Sequence, residues 1–131
     1  LCNAWNYARH LSGNDKQLNE TIEAEKKQFL GSELMGKTLG IVGLGSIGVR
    51  VANAAIHLGM RVIGYDPTIS VNRAWELSSQ VQQAHHLEEL LKVADYVSVH
   101  VPLMESTQNL MNQERLRVMP AHAVLLNFAR D

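Results

Sequence analysis

In Leu39-Gly40-Ile41-Val42-Gly43-Leu44-Gly45-Ser46-Ile47-Gly48 a short apolar run meets three glycines spaced G-x-G-x-x-G. The spacing alone is weak evidence. Its surroundings are stronger, because an apolar strand precedes it and an amphipathic helix follows. Gly43 permits a tight turn, Gly45 leaves the backbone bare, and Gly48 lets the helix approach the strand. A helix that starts at such a turn offers unpaired N–H groups and the positive end of its dipole to a pyrophosphate.

Outward from this turn, strands and helices alternate. The patterning predicts strands over Leu39–Val42, Arg61–Tyr65, Val81–Ala84, Tyr96–Val101 and Ala123–Phe128. Between them it predicts a helix over Ser46–Leu58, with Ile47, Val51, Ala54, Ala55 and Leu58 on the buried stripe and Gly59 closing it. A short helix is expected over Asn72–Leu77. Leu87, Leu90, Leu91 and Ala94 have the spacing of another, and Asn112 caps a last one reaching Met119. The fold class is α/β, a Rossmann-type doubly wound parallel sheet covered on both faces.

Asp66 ends the second strand, 66 − 48 = 18 residues after the third glycine. Its carboxylate there is expected to accept two hydrogen bonds from a ribose diol and to repel a 2′-phosphate. That favours NAD over NADP. The rival reading is a glycine turn and an Asp-Pro turn without a ligand, but glycines, helix and acid all fall in register.

Of the 131 residues, 46% are hydrophobic and 19% charged, enough apolar material for one domain core. The net charge of −1 and the scattered Lys and Arg give no electrostatic case for nucleic acid. Lys26-Lys27 beside Glu23 and Glu25 reads as a solvated helix face. Cys2, the only cysteine, excludes an internal disulfide framework. No apolar run approaches the ~20 residues that span a bilayer. Leu1 to His10 lack the order of a signal peptide. A cytoplasmic protein is the default expectation.

Residues 1–31 read as an N-terminal helix, with Leu1, Ala4, Trp5, Ala8 and Leu11 in helical spacing, followed by a polar arm or linker. The arm, Asn14 to Gln28, is open to reading as helix, loop or an extension to a partner. Residues 32–131 read as an incomplete nucleotide-binding domain. Both chain ends look cut, which suggests a fragment of a longer protein.

Three runs resemble, in order, signatures of the D-isomer-specific 2-hydroxy acid dehydrogenases: Glu33 to Gly48 (ELMGKTLGIVGLGSIG), His100 to Leu110 (HVPLMESTQNL) and Leu125 to Arg130 (LLNFAR). Tyr65 to Trp75 and Asn127 to Asp131 further resemble one group within the family, members acting on D-3-phosphoglycerate. The resemblance implies a hydride transfer between NAD and C2 of a small 2-hydroxy acid. It implies that Gly43, Gly45, Ser46, Ile47 and Gly48 face the pyrophosphate. Asp66 would hold the ribose, with Pro67 beside it among the cofactor-binding residues. His100, Val101 and Pro102 would line the adenine side, and Thr107 would sit near the cofactor. Phe128 and Ala129 would border the nicotinamide, and Arg130 would orient the substrate carboxylate. Asp131 stands where most members have Gly. A catalytic Glu and His, and a substrate domain built from both chain ends, would lie outside this chain, which alone would then be inactive. The resemblance also implies a homodimer. Rival readings are a family dehydrogenase for lactate, glycerate or glyoxylate, and a non-catalytic NAD-sensing module, because fold does not fix function.

His100 titrates near neutral pH as a general base would. The preferred reading is a strand-end residue shaping the cleft. His85-His86 lacks a completing carboxylate or Cys, so no metal site is expected. His57 and His122 read as surface residues, and Trp5, Tyr7 and Trp75 as packing or interface residues.

Overall fold

A computed structural model describes residues 31–129. The chain divides into two units, Leu1–Glu33 and Leu34–Asp131. The second holds a five-stranded, wholly parallel sheet in the order β3-β2-β1-β4-β5. Its elements are β1 (Thr38–Val42), α1 (Ser46–His57), β2 (Arg61–Tyr65), α2 (Val71–Glu76), β3 (Gln82–Gln83), α3 (Leu87–Val93), β4 (Tyr96–Val99), α4 (Gln113–Val118) and β5 (Val124–Asn127). The expected α/β class and all five strands are present. β3 is only two residues long, although Ala84 still donates its N–H to Gly64.

β1 lies in the centre because it is apolar on both faces. Leu39 and Ile41 join Val49, Ala52, Ala55 and Val62 beneath α1, while Val42 joins Leu87, Leu90, Leu91, Val97 and Val99 beneath α3. Burying Leu90 and Leu91 completely contributes about 1.5–3 kcal/mol each. A Cβ on Gly40 would run into the Leu90 side chain, so this glycine sets how closely α3 sits on β1.

The stripe expected on α1 is wrong by about one residue. Gly48, Val49, Ala52 and Ala55 are the buried positions, whereas Ile47 and Leu58 are 59% and 58% exposed. Small residues decide the matter: Gly48 must face the sheet, and Ala52 and Ala55 keep the same close approach. Apolar periodicity alone ranked Ile47 and Leu58 too highly. Gly59 ends the helix as expected, with φ +77°.

The halves of the sheet differ in cover. Among the described residues β5 pairs only with β4, and all four of its residues are exposed. Trp75, expected to pack or to form an interface, is 85% exposed among the described residues. No helix among them is long and apolar enough to cross a membrane. The helix expected near Leu1–Leu11, the polar arm, Cys2, Trp5, Tyr7, Arg130 and Asp131 lie outside the described residues.

Candidate cofactor-binding cleft

β1 and β4 are neighbours, yet the chain leaves β1 toward β2 and leaves β4 toward β5. Their C-terminal ends therefore flank the point where the strand order reverses, the usual ligand crevice of an open α/β sheet. A cleft of about 320 Å³ lies there, within the ~300–1,000 Å³ of small-molecule sites. Its lining includes Gly43 and Gly45 after β1, Asp66 and Pro67 after β2, and His100, Val101, Pro102 and Thr107 after β4. Eight of the expected residues thus meet at one opening.

The glycine turn is built by exclusion. Gly43 has φ +93°, and a Cβ there would also meet Val101 at 2.7 Å. A Cβ on Gly48 would collide with the Gly43 carbonyl oxygen. At Gly45 a Cβ would meet nothing within 4 Å, so this side of the turn is open. Ser46 and Ile47, at the start of α1, are exposed.

Helix capping separates α1 from the other three helices among the described residues. Ser70 accepts from the Arg73 N–H at the start of α2, and Asn112 from the Arg115 N–H at the start of α4. Before α3, the Glu89 carboxylate accepts from the N–H groups of His85 and His86. α1 begins at Gly45 with no side-chain cap and no acid in its first turn. Its first N–H groups remain available for an anion, and the dipole favours one.

Asp66 stands on the rim beside this terminus. Its Oδ2 accepts the Leu44 N–H at 2.8 Å, and its Oδ1 accepts the Thr68 N–H at 2.9 Å and the Thr68 hydroxyl at 3.1 Å. A carboxylate has about four acceptor sites, so roughly one is left. The expected pair of diol hydrogen bonds therefore requires the Thr68 hydroxyl to turn away. Leu44 and Thr68 are partners that the spacing of glycines and acid did not reveal.

The opposite wall is residues 101–111. Thr107 lines the cleft, but its hydroxyl donates to the Pro102 and Met104 carbonyls and accepts the Met104 N–H. Thr107 therefore shapes the loop. Met104, Ser106 and Leu110 also line the cleft, as do Tyr65 and Thr68. The sequence reading gave none of these five a role in the site.

His100 bonds to Ser98 Oγ through Nε2 at 2.8 Å and stacks on Phe128, with centroids 6.0 Å apart. Its Nδ1 is buried without a partner, and burial pushes its pKa below the usual imidazole value. The ring is held between Ser98 on β4 and the face of Phe128. Ala129 and Asn127 line an adjoining cleft of about 280 Å³ that shares Val101, Pro102, Thr107 and Leu110. His57 and His122 are exposed, although His122 pairs with Asp95 at 2.9 Å. Among the described residues no group of His, Cys, Asp and Glu is arranged for a metal.

The open face of Gly45, the uncapped α1 and the rim carboxylate fit a dinucleotide. Comparison with known proteins agrees. The chain is 40% identical over 123 residues to D-3-phosphoglycerate dehydrogenase of a Synechocystis species, covering 94% of this chain and 22% of that one. It is equally similar to hydroxypyruvate reductase of Thermotoga maritima, over 94% of this chain and 38% of the relative. D-lactate dehydrogenase of Aquifex aeolicus, solved with NAD and lactic acid, superposes with a TM-score of 0.70 at 34% identity, over 84% of this chain and 34% of that one. The chain thus spans well under half the length of each. The family model for the NAD-binding domain of D-isomer-specific 2-hydroxyacid dehydrogenases matches residues 1–131, and the chain belongs to that family.

Proposed function

We propose that residues 32–131 hold NAD in the cleft between β1 and β4, in an enzyme that oxidises a D-2-hydroxy acid, D-3-phosphoglycerate first among candidates. The observation that carries this is the uncapped start of α1, open at Gly45 and flanked by Asp66. The backbone of Gly43, Gly45, Ser46, Ile47 and Gly48 receives the pyrophosphate. Asp66, next to Pro67, takes the adenosine ribose and disfavours NADP by charge. Val101 and Pro102 bound the adenine, with Thr107 and His100 holding that wall in shape. Phe128 and Ala129 border the nicotinamide, and Arg130 pairs with the substrate carboxylate, ideally through two parallel bonds.

When bound, NAD supplies the hydride acceptor. The chain supplies position, charge and exclusion of water. His100 is a poor base because Ser98 occupies its Nε2 and its Nδ1 is buried.

The relatives divide among phosphoglycerate dehydrogenases, hydroxypyruvate reductase, glyoxylate reductases and lactate dehydrogenase. Similarity of Tyr65 to Trp75 to one group supports phosphoglycerate. A homodimer in the cytoplasm is the accompanying expectation.

Calorimetric titration of NAD and NADP into the protein tests the site, and tighter NADP binding overturns the Asp66 assignment. For the substrate, an intact enzyme carrying this domain is assayed against a panel of D-2-hydroxy acids. A higher kcat/KM for lactate or glycerate than for D-3-phosphoglycerate replaces the substrate proposed here. Light scattering reads the oligomeric state.

A further inference from the structure

Leu110 lines both clefts, as do Val101, Pro102 and Thr107, and so stands in the partition that the two clefts share. Its backbone is held on both sides. Its N–H donates to the Thr107 carbonyl at 3.1 Å, and its carbonyl accepts from Arg115 Nη1 at 2.8 Å. The residue before it, Asn109, has φ +55°, so the chain turns sharply into the partition. Arg115 belongs to α4 and reaches back past the Asn112 cap. Its Nε donates to Glu88 Oε1 at 2.9 Å, on α3. One planar guanidinium thus joins α3, α4 and the cleft wall. Its two engaged nitrogens are fixed relative to each other, so placing one on Glu88 aims the other at the Leu110 carbonyl.

We propose that Arg115 is a positioning residue for the cofactor: braced by Glu88, it fixes the Leu110 partition and thereby the wall against which the adenosine half of NAD packs. It touches neither cofactor nor substrate. The three ties have separate roles. Thr107 closes the loop upon itself, the Arg115–Leu110 bond anchors the loop to the body, and Glu88 supplies the brace. Lysine cannot replace arginine here, because a single ammonium cannot hold the two acceptors in the guanidinium's fixed geometry. The inference rests on reading the cleft as the NAD site.

The test uses R115M, R115K and E88Q beside the parent protein. NAD and AMP are titrated at a temperature where circular dichroism shows every variant folded. R115M is expected to weaken NAD and AMP alike, by about tenfold, as for a support that contacts no ligand. R115K should recover only part of this. E88Q, which keeps the bond to Leu110 but removes the charged brace, should cost less than R115M. Hydrogen exchange should show residues 102–111 less protected in R115M than in the parent, both bound to NAD. A purely structural arginine would lower the thermal midpoint and leave both dissociation constants unchanged. That result overturns the proposal, as would full recovery by R115K. If the parent protein itself binds neither NAD nor AMP, the reading of the cleft fails, and the inference falls with it.

Discussion

On the β1–α1 side of the cleft the chain takes side chains away; on the β4–α4 side it adds them and ties them down. Gly43, Gly45 and Gly48 build the first wall from bare backbone, and α1 opens without a cap. Val101, Met104, Thr107 and Leu110 build the second from packed side chains, and Asn112, Arg115 and Glu88 anchor it. The contrast matches what each wall would meet with NAD placed as proposed. Phosphate oxygens need N–H groups at close range, which any Cβ would hinder. A flat aromatic base needs apolar surface, which glycines cannot offer. Backbone and side chains thus divide recognition between charge and shape.

The largest effect should come from the close approach within the first wall. Gly48→Ala drives a methyl group into the Gly43 carbonyl, so the turn must open. A loss of about 1–3 kcal/mol in urea unfolding is expected, together with most of the NAD affinity. Parental stability and affinity in this variant would show that the turn yields freely.

Gly45→Val separates binding from folding. Its Cβ meets nothing within 4 Å and Gly45 has φ −72°, so stability should stay within about 0.5 kcal/mol. NAD affinity should fall at least tenfold, because the branched side chain covers the approach to the helix terminus. An unchanged titration would move the pyrophosphate elsewhere.

At the rim, Asp66→Ala removes the partner of Leu44 and Thr68 and should narrow the preference for NAD over NADP. Thr68→Val sharpens the point. It frees one acceptor site on Asp66, and NAD should bind about threefold more tightly. Weaker binding would mean that the threonine hydroxyl itself serves the ribose.

Smaller effects come from titration. The Thr38 N–H and His122 hold the Asp95 carboxyl below its usual pKa, and the Arg115 guanidinium does the same for Glu88. A depressed folded pKa adds stability above the unfolded value, and that stability is lost as pH falls through the folded one. Thermal midpoints should therefore drop only below about pH 4, and less steeply in Asp95→Asn. An equal drop in that variant would discount the Asp95 contacts. For His100, an NMR titration should give a midpoint below the ordinary 6.5. A higher midpoint would reopen it as a proton acceptor.

Much of the first wall was legible in the residues. Glycine spacing, an apolar run and an acid at a strand end are local features, and each constrains its own backbone. The strand positions followed for the same reason: Arg61–Tyr65 alternates and is closed by Asp66-Pro67, whatever lies beside it. The second wall was legible only as motif residues. Thr107 was expected near the cofactor and lines the cleft, and its hydroxyl is committed to Pro102 and Met104. Arg115 carried no local signal, because its partners Glu88 and Leu110 lie 27 and 5 residues away. The α1 stripe was misread because helical periodicity ranks residues by hydrophobicity, whereas a close-packed face is chosen by how near two backbones must come.

From sequence alone came the α/β class, the succession of strands and helices along the chain, the glycine turn after β1 and the acid that faces it. These depend on glycine's missing side chain, on apolar periodicity and on charge, all properties of neighbouring residues. Only the tertiary structure decided which face of α1 is buried, how many acceptor sites Asp66 has left, and how Arg115 braces the far wall. Each of these depends on distances between residues that are remote in the chain, and those distances exist only once the sheet has formed.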